Sequence, residues 1–169
     1  EPEEIGEEIT SNPKVRKISF TGSTAVGRIL MQQSANTVKK LSLELGGKNP
    51  NIIFDDCDFE EMLKTTVQSS FANQGQICLC GSRIFVQKGI YEKFKTAFVE
   101  KVSNLKVGDP LEDVNLGAVV SKDHQEKVLS YVQLAKEEGG KVLFGGTKVF
   151  PKGRCENGFF IAPVILCKA

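Results

Sequence analysis

Two spacings of apolar residues organise the chain. Around Ile18 and Phe20, and again around Leu41 and Leu43, apolar and polar residues alternate, the period of a half-buried strand. Strands are therefore expected over residues 17–21 and 40–44. Between them Gly22 lets the chain turn sharply into a helix expected from about Thr24 to Ala35. Strand, turn, helix and strand in so short a span make a compact βαβ unit, which implies a parallel pair and a right-handed crossover. The double glycine Gly46-Gly47 ends that unit and marks a domain boundary, with residues 1–46 in one part and 47–169 in the next.

Helical spacing dominates further on. Residues 51–54 are a strand candidate. Asp58 with Glu61 three positions later is an N-cap signal, and Phe59, Met62, Leu63, Val67 and Phe71 follow on one face. An amphipathic helix over residues 59–72 results, broken by Asn73-Gln74-Gly75-Gln76. After a strand at 83–87, Ile90, Phe94, Ala97, Phe98 and Val102 mark a second helix. A third is expected over residues 122–138, with Val128, Tyr131, Val132 and Ala135 on one side and Gly139-Gly140 as its stop. Residues 141–144 and 159–165 read as strands joined by a loop rich in Gly, Pro and Lys. Strands alternating with helices define an α/β chain.

Charge and composition narrow the function. Twenty-two basic against 21 acidic residues give a net charge of +1, and no basic stripe interleaved with aromatics supports nucleic-acid binding. No apolar run approaches the roughly 18 residues that a spanning helix needs, and the acidic start Glu1-Pro2-Glu3-Glu4 is unlike a signal peptide. Five cysteines, an odd number, favour free thiols in a reducing compartment, with the cytoplasm as the default.

Two segments carry chemistry: Leu43-Glu44-Leu45-Gly46-Gly47-Lys48 and Phe71-Ala72-Asn73-Gln74-Gly75-Gln76-Ile77-Cys78. A soft thiol nucleophile attacks a carbonyl and forms a readily hydrolysed thioester, while a carboxylate activates the water that cleaves it. Cys78 is the candidate nucleophile, with Gly75 allowing tight backbone approach. Glu44, at a strand end, is the candidate base, a role that partial burial would favour. Gly22-Ser23-Thr24-Ala25-Val26-Gly27 lies at a strand-to-helix turn where free N–H groups can receive a pyrophosphate. Its middle glycine is absent, so it is not the usual dinucleotide fingerprint, and taken alone it is explained better by an ordinary capped turn.

Other residues admit competing readings. Cys78-x-Cys80 suggests a metal, yet Cys57, Cys155, Cys167 and the single histidine His124 supply no paired spacing, so no metal site is expected. Cys80 can instead act as a resolving thiol. His124 reads as a solvated helix residue. Asn73 and Gln76 can brace the nucleophile loop through side-chain to backbone bonds. Arg83 can meet a substrate carboxylate or form a strand-end salt bridge.

Together with Phe20-Thr21-Gly22-Ser23-Thr24-Ala25-Val26-Gly27, these two segments resemble the NAD(P)-dependent aldehyde dehydrogenase superfamily, from about Asn12 onward. Residues 40–50 and 70–80 most resemble its aminomuconate semialdehyde branch. The resemblance implies the end of a Rossmann-type cofactor domain followed by part of an α/β catalytic domain, the middle third of such a protein. It implies NAD as cofactor, with NADP open. Thr21, Gly22, Ser23 and Gly27 would lie near the pyrophosphate and nicotinamide, and Leu45 beside the nicotinamide ring. It further implies a small aldehyde as substrate, such as 2-aminomuconate semialdehyde or a betaine-type aldehyde, and a homodimer or homotetramer for the whole protein. The family's oxyanion asparagine and ribose-binding groups have no counterpart here, so these residues alone are expected to be inactive. A non-catalytic homologue and a cofactor-independent thiol hydrolase are the rival classes; dependence on NAD separates the hydrolase.

Overall fold

The computed structural model describes residues 2–168, the side chain of Pro2 excepted. Glu1 of the acidic start and Ala169 lie outside the described residues. The chain divides into two compact units, one through Gly47 and one from Lys48 onward.

The first unit is a helix followed by a β-α-β element. Helix α1 (Pro2–Ser11) precedes β1 (Lys17–Gly22), α2 (Thr24–Ser34) and β2 (Lys40–Leu45). α1 is not among the elements expected from the sequence: its two large apolar residues, Ile5 and Ile9, stand four positions apart, a helical spacing, but both are exposed and Thr10 is buried. β1 and β2 pair in parallel, as the βαβ spacing requires, with Thr21 opposite Glu44 and Gly22 opposite Leu45. α2 begins at Ser23, whose Oγ accepts the Val26 N–H at 3.2 Å, satisfying one of the amides that every helix start leaves over. The Lys39 ammonium closes the other end of the unit by donating to the carbonyls of Asn12 at 2.5 Å and Val15 at 2.8 Å.

The second unit carries the larger core. β3 (Pro50–Ile53) and β4 (Arg83–Val86) pair in parallel, and α3 (Phe59–Phe71) and α4 (Tyr91–Ser103) pack with them. α3 starts as its sequence predicts, with the Asp58 carboxylate accepting the Glu61 N–H at 3.2 Å. Ile53, Leu63, Phe94, Phe98 and Val102 form the buried cluster, and the Phe98 ring stacks on Phe94 at 5.1 Å and on Phe71 at 6.2 Å. Phe71 is the last residue of α3, so the core fixes the point from which the next loop departs.

α5 (Lys122–Glu137) follows, capped by Ser121 Oγ on the His124 N–H. Val132 is buried in it, but Tyr131 is exposed, which narrows its predicted apolar face. The tail contains β5 (Gly140–Phe144), β6 (Lys148–Val149), β7 (Phe160–Ile161) and β8 (Ile165–Lys168). The single strand expected over 159–165 is two. Pro163 has no N–H for a ladder, and the break lets β7 pair antiparallel with β6 while β8 pairs antiparallel with β5.

Candidate functional site

The expected residues fall into two groups, one in each unit. In the first unit, the carboxyl ends of the parallel strands β1 and β2 place Thr21 beside Glu44 and Gly22 beside Leu45. Open α/β sheets bind ligands at such ends. Here α2 also begins: Ser23 takes the Val26 and Gly27 amides through its hydroxyl and carbonyl, which leaves the Thr24 and Ala25 amides without partners among the described residues. Thr21, Gly22, Ser23 and Thr24 are all exposed, so this turn is open to an anion.

Gly27 serves differently. It is buried, and a Cβ there would come 2.8 Å from Leu45 Cδ2, so its lack of a side chain lets α2 lie close on β2 and seats the Leu45 side chain. Along β2 the leucines at 41, 43 and 45 are half-buried while Lys40, Ser42 and Glu44 are exposed. Glu44 thus takes the open face of the strand by the period-two rule, and the partial burial expected of it is not found in this unit.

In the second unit, Cys78 occupies a braced turn. The loop leaves α3 through three successive left-handed residues, Asn73 (φ 50°), Gln74 (φ 57°) and Gly75 (φ 73°). Such backbone is costly for residues other than glycine, and for Gln more than Asn. The role expected of Gly75 therefore changes: an added Cβ would stand at an ordinary 3.4 Å from the Ser70 carbonyl, so its value lies in conformation and not in close approach. Residues 77–80 then turn back, with the Cys80 N–H donating to the Ile77 carbonyl at 3.1 Å. Cys78 is exposed at the apex and Leu79 is 79% exposed, whereas Cys80 is buried at 7%. The turn is anchored by one thiol and displays the other, which leaves Cys80 poorly placed as a resolving thiol.

Polar contacts hold this loop from several sides. The Gly81 N–H donates to the Ser69 carbonyl and Ser70 Oγ donates to the Gly81 carbonyl, both at 3.1 Å. Asn49 Nδ2 donates to the carbonyls of Cys78 at 2.5 Å and Cys80 at 3.3 Å. Gln76 fulfils its expected bracing role, donating to the Asn73 carbonyl and accepting the Val120 N–H, each at 3.4 Å. Gln74, oriented with Oε1 toward Gly117, accepts that amide at 2.5 Å and donates back to Asn73. Asn49 stands in the segment that carries Glu44, but its partners lie about thirty positions away, and no local spacing announces them.

The remaining candidates are placed plainly. Arg83 Nη2 donates to the Lys48 carbonyl at 2.6 Å, which is neither a salt bridge nor a free carboxylate receptor. His124 is half-buried and lines a cavity of about 180 Å³ with Gln74 and Gly75, in place of the solvated position expected. A wider cleft of about 510 Å³ flanks the loop on Asn49, Asn51, Thr66, Ser69 and Leu79. Among the described residues no group of three or more His, Cys, Asp or Glu is arranged to hold a metal, and no helix is long and apolar enough to cross a membrane.

Comparison with known proteins agrees with the sequence motifs. The model of the aldehyde dehydrogenase family matches residues 1–169; the chain belongs to that family. It is 50% identical over 165 residues to human 2-aminomuconic semialdehyde dehydrogenase, covering 96% of this chain and 34% of that protein. It is 44% identical over 165 residues to 4-trimethylaminobutyraldehyde dehydrogenase A of Danio rerio, covering 96% and 32%. Betaine aldehyde dehydrogenase from Staphylococcus aureus in complex with NAD+ superposes with a TM-score of 0.88 at 38% identity, covering 96% of this chain and 32% of that one. An NADP-dependent enzyme from E. coli superposes with a TM-score of 0.89 at 42% identity, covering 96% and 33%. The chain spans about a third of the length of these relatives. Its α/β fold is that of aldehyde dehydrogenases.

Proposed function

We propose that the protein containing this chain oxidises a small aldehyde to a carboxylate through a thioester on Cys78, using NAD or NADP. The observation that carries this reading is the exposure of Cys78 at the apex of a turn braced on both flanks, while its neighbour Cys80 is buried. Attack geometry demands a thiol that is both reachable and fixed.

The open turn at Thr21, Gly22 and Ser23 and the free amides at the start of α2 fit the pyrophosphate of a dinucleotide, and Leu45, seated by Gly27, is the apolar surface for its ring. Bound there, the nicotinamide supplies the hydride acceptor. Cys78 adds as thiolate to the aldehyde carbon, and the backbone N–H of Cys78 steadies the oxyanion that forms. Once the carbon is oxidised, the acyl group remains on sulfur as a thioester. Glu44 then takes a proton from the water that attacks it, releasing the acid and restoring the thiol. Five unpaired thiols support a reducing cytoplasmic setting.

For the substrate we favour a small semialdehyde such as 2-aminomuconate semialdehyde, supported by identities of 49–50% to the mammalian enzymes of that name against 42–46% to the trimethylaminobutyraldehyde enzymes. In the full-length protein, rapid mixing with aldehyde and NAD gives a burst of NADH. Cys78→Ser abolishes the burst; Glu44→Gln keeps it and slows steady turnover. An undiminished burst in Cys78→Ser would refute the nucleophile, and aldehyde-independent ester cleavage unaffected by NAD, without any NADH formation, would make the protein a hydrolase.

A further inference from the structure

Asn49 bonds to the nucleophile's turn in a way that the chemistry of Cys78 and Glu44 does not account for. Its Nδ2 carries two hydrogens, and both are engaged, one on the Cys78 carbonyl at 2.5 Å and one on the Cys80 carbonyl at 3.3 Å. The main chain beneath it is also fixed. The Asn49 carbonyl accepts the Arg83 N–H at 3.2 Å, and the Lys48 carbonyl accepts Arg83 Nη2 at 2.6 Å. The amide therefore reaches the turn from the rigid start of the β3–β4 ladder. Residues 78–80 have few other ties: the Cys80 N–H closes the turn on Ile77, and the Cys80 carbonyl also accepts the Ser82 N–H at 2.9 Å.

We propose that Asn49 is a positioning residue for Cys78, a role that rests on Cys78 being the nucleophile. Holding the Cys78 carbonyl fixes the peptide plane that follows it, and so the backbone angle that decides where Sγ emerges. Gathering the carbonyls of 78 and 80 onto one donor group keeps the turn pinched with Cys78 at its apex. The side chain for this task must give two protons from one atom at short reach. Aspartate has the same shape and would aim lone pairs at two carbonyls; serine gives one proton; alanine gives none.

The test uses the full-length protein with Asn49→Ala, Asn49→Ser and Asn49→Asp beside Cys78→Ser. Three quantities are read: the NADH burst rate, the pH profile of Cys78 alkylation by iodoacetamide, and the melting temperature. Displacing a reacting atom by about an ångström costs up to roughly a hundredfold in rate, so Asn49→Ala slows the burst by about ten- to a hundredfold with little change in the aldehyde KM, and shifts the alkylation profile. Asn49→Ser recovers part of the rate, and Asn49→Asp is no better than alanine. A purely structural role would lower the melting temperature in all three and leave the alkylation profile of the folded protein unmoved; that result overturns the proposal. So does a wild-type burst in Asn49→Ala while Cys78→Ser is inactive. A burst surviving in Cys78→Ser overturns the nucleophile itself, a separate failure. Should Asn49→Ala not fold, the serine and aspartate variants decide: equal burst rates in those two overturn the role of the donated protons.

Discussion

Gly75 sits where a single methyl group tests the conformation of the loop that carries Cys78, the proposed nucleophile. It is the third residue in a left-handed run after Asn73 and Gln74, at φ 73°. The Cβ of an alanine would meet only the Ser70 carbonyl, at 3.4 Å, so steric collision contributes little. What remains is the intrinsic preference of an L-residue, about 1–2 kcal/mol against the left-handed region. The loop already bears that cost at Gln74, offset by the bond of its carboxamide to Gly117. At about 1.4 kcal/mol per tenfold, Gly75→Ala is expected to slow acylation about tenfold, because the loop relieves the strain by shifting the turn at 77–80. Asparagine tolerates this region better than alanine, so Gly75→Asn falls between the two. The assay is the pre-steady-state NADH burst of the full-length protein, with thermal melting as the control for folding. A burst in Gly75→Ala equal to wild type, or an asparagine variant no faster than alanine, would refute the conformational account.

Two further outcomes follow from the packing and the charges. Phe98 is 3% exposed and stacked against both Phe94 and Phe71, so Phe98→Ala costs about 3–5 kcal/mol, measured by denaturant unfolding, and the loop after Phe71 becomes accessible to protease at lower denaturant. The Arg154 guanidinium, hydrogen-bonded to Asp109, holds that carboxyl at about 2, below its ordinary 3.8. A depressed folded-state value means the pair stabilises at pH above the ordinary carboxylate range and loses its effect as pH falls from about 4 toward 2. Arg154→Met is therefore less stable than wild type at neutral pH, and the two melting temperatures converge near pH 2; a constant gap across that range would exclude the pair as the cause.

Local signals made much of the molecule legible. Asp58 and Glu61 announced the start of α3, the residues of β2 announced a strand, and the short span from Lys17 to Glu44 required a parallel pair, whereas the partial burial expected of Glu44 is not found in its unit. What stayed hidden was either weakly apolar or distant. α1 carries only two large apolar residues, Ile5 and Ile9, four positions apart among glutamates, and so short a stripe is easily passed over. The run from Phe159 to Ile165 looked continuous because its apolar residues are, yet one imide nitrogen at Pro163 sends its halves to different ladders. The site divides in the same way. Cys78 and Glu44 stand as candidates by residue type and motif, whereas the bonds of Asn49 and Gln74 join residues about thirty to forty positions apart, and such pairings depend on the assembled fold.

Where the chain passes from β5 toward β6, Gly145 faces the strand break so closely that a Cβ would lie 1.7 Å from the Pro163 carbonyl oxygen. No rotamer change relieves a collision between two main chains. A library randomised at this codon and selected for folded protein should return a single amino acid, and homologous segments exchanged across this seam will fold only when glycine stands at 145, whatever residue lends the opposing carbonyl.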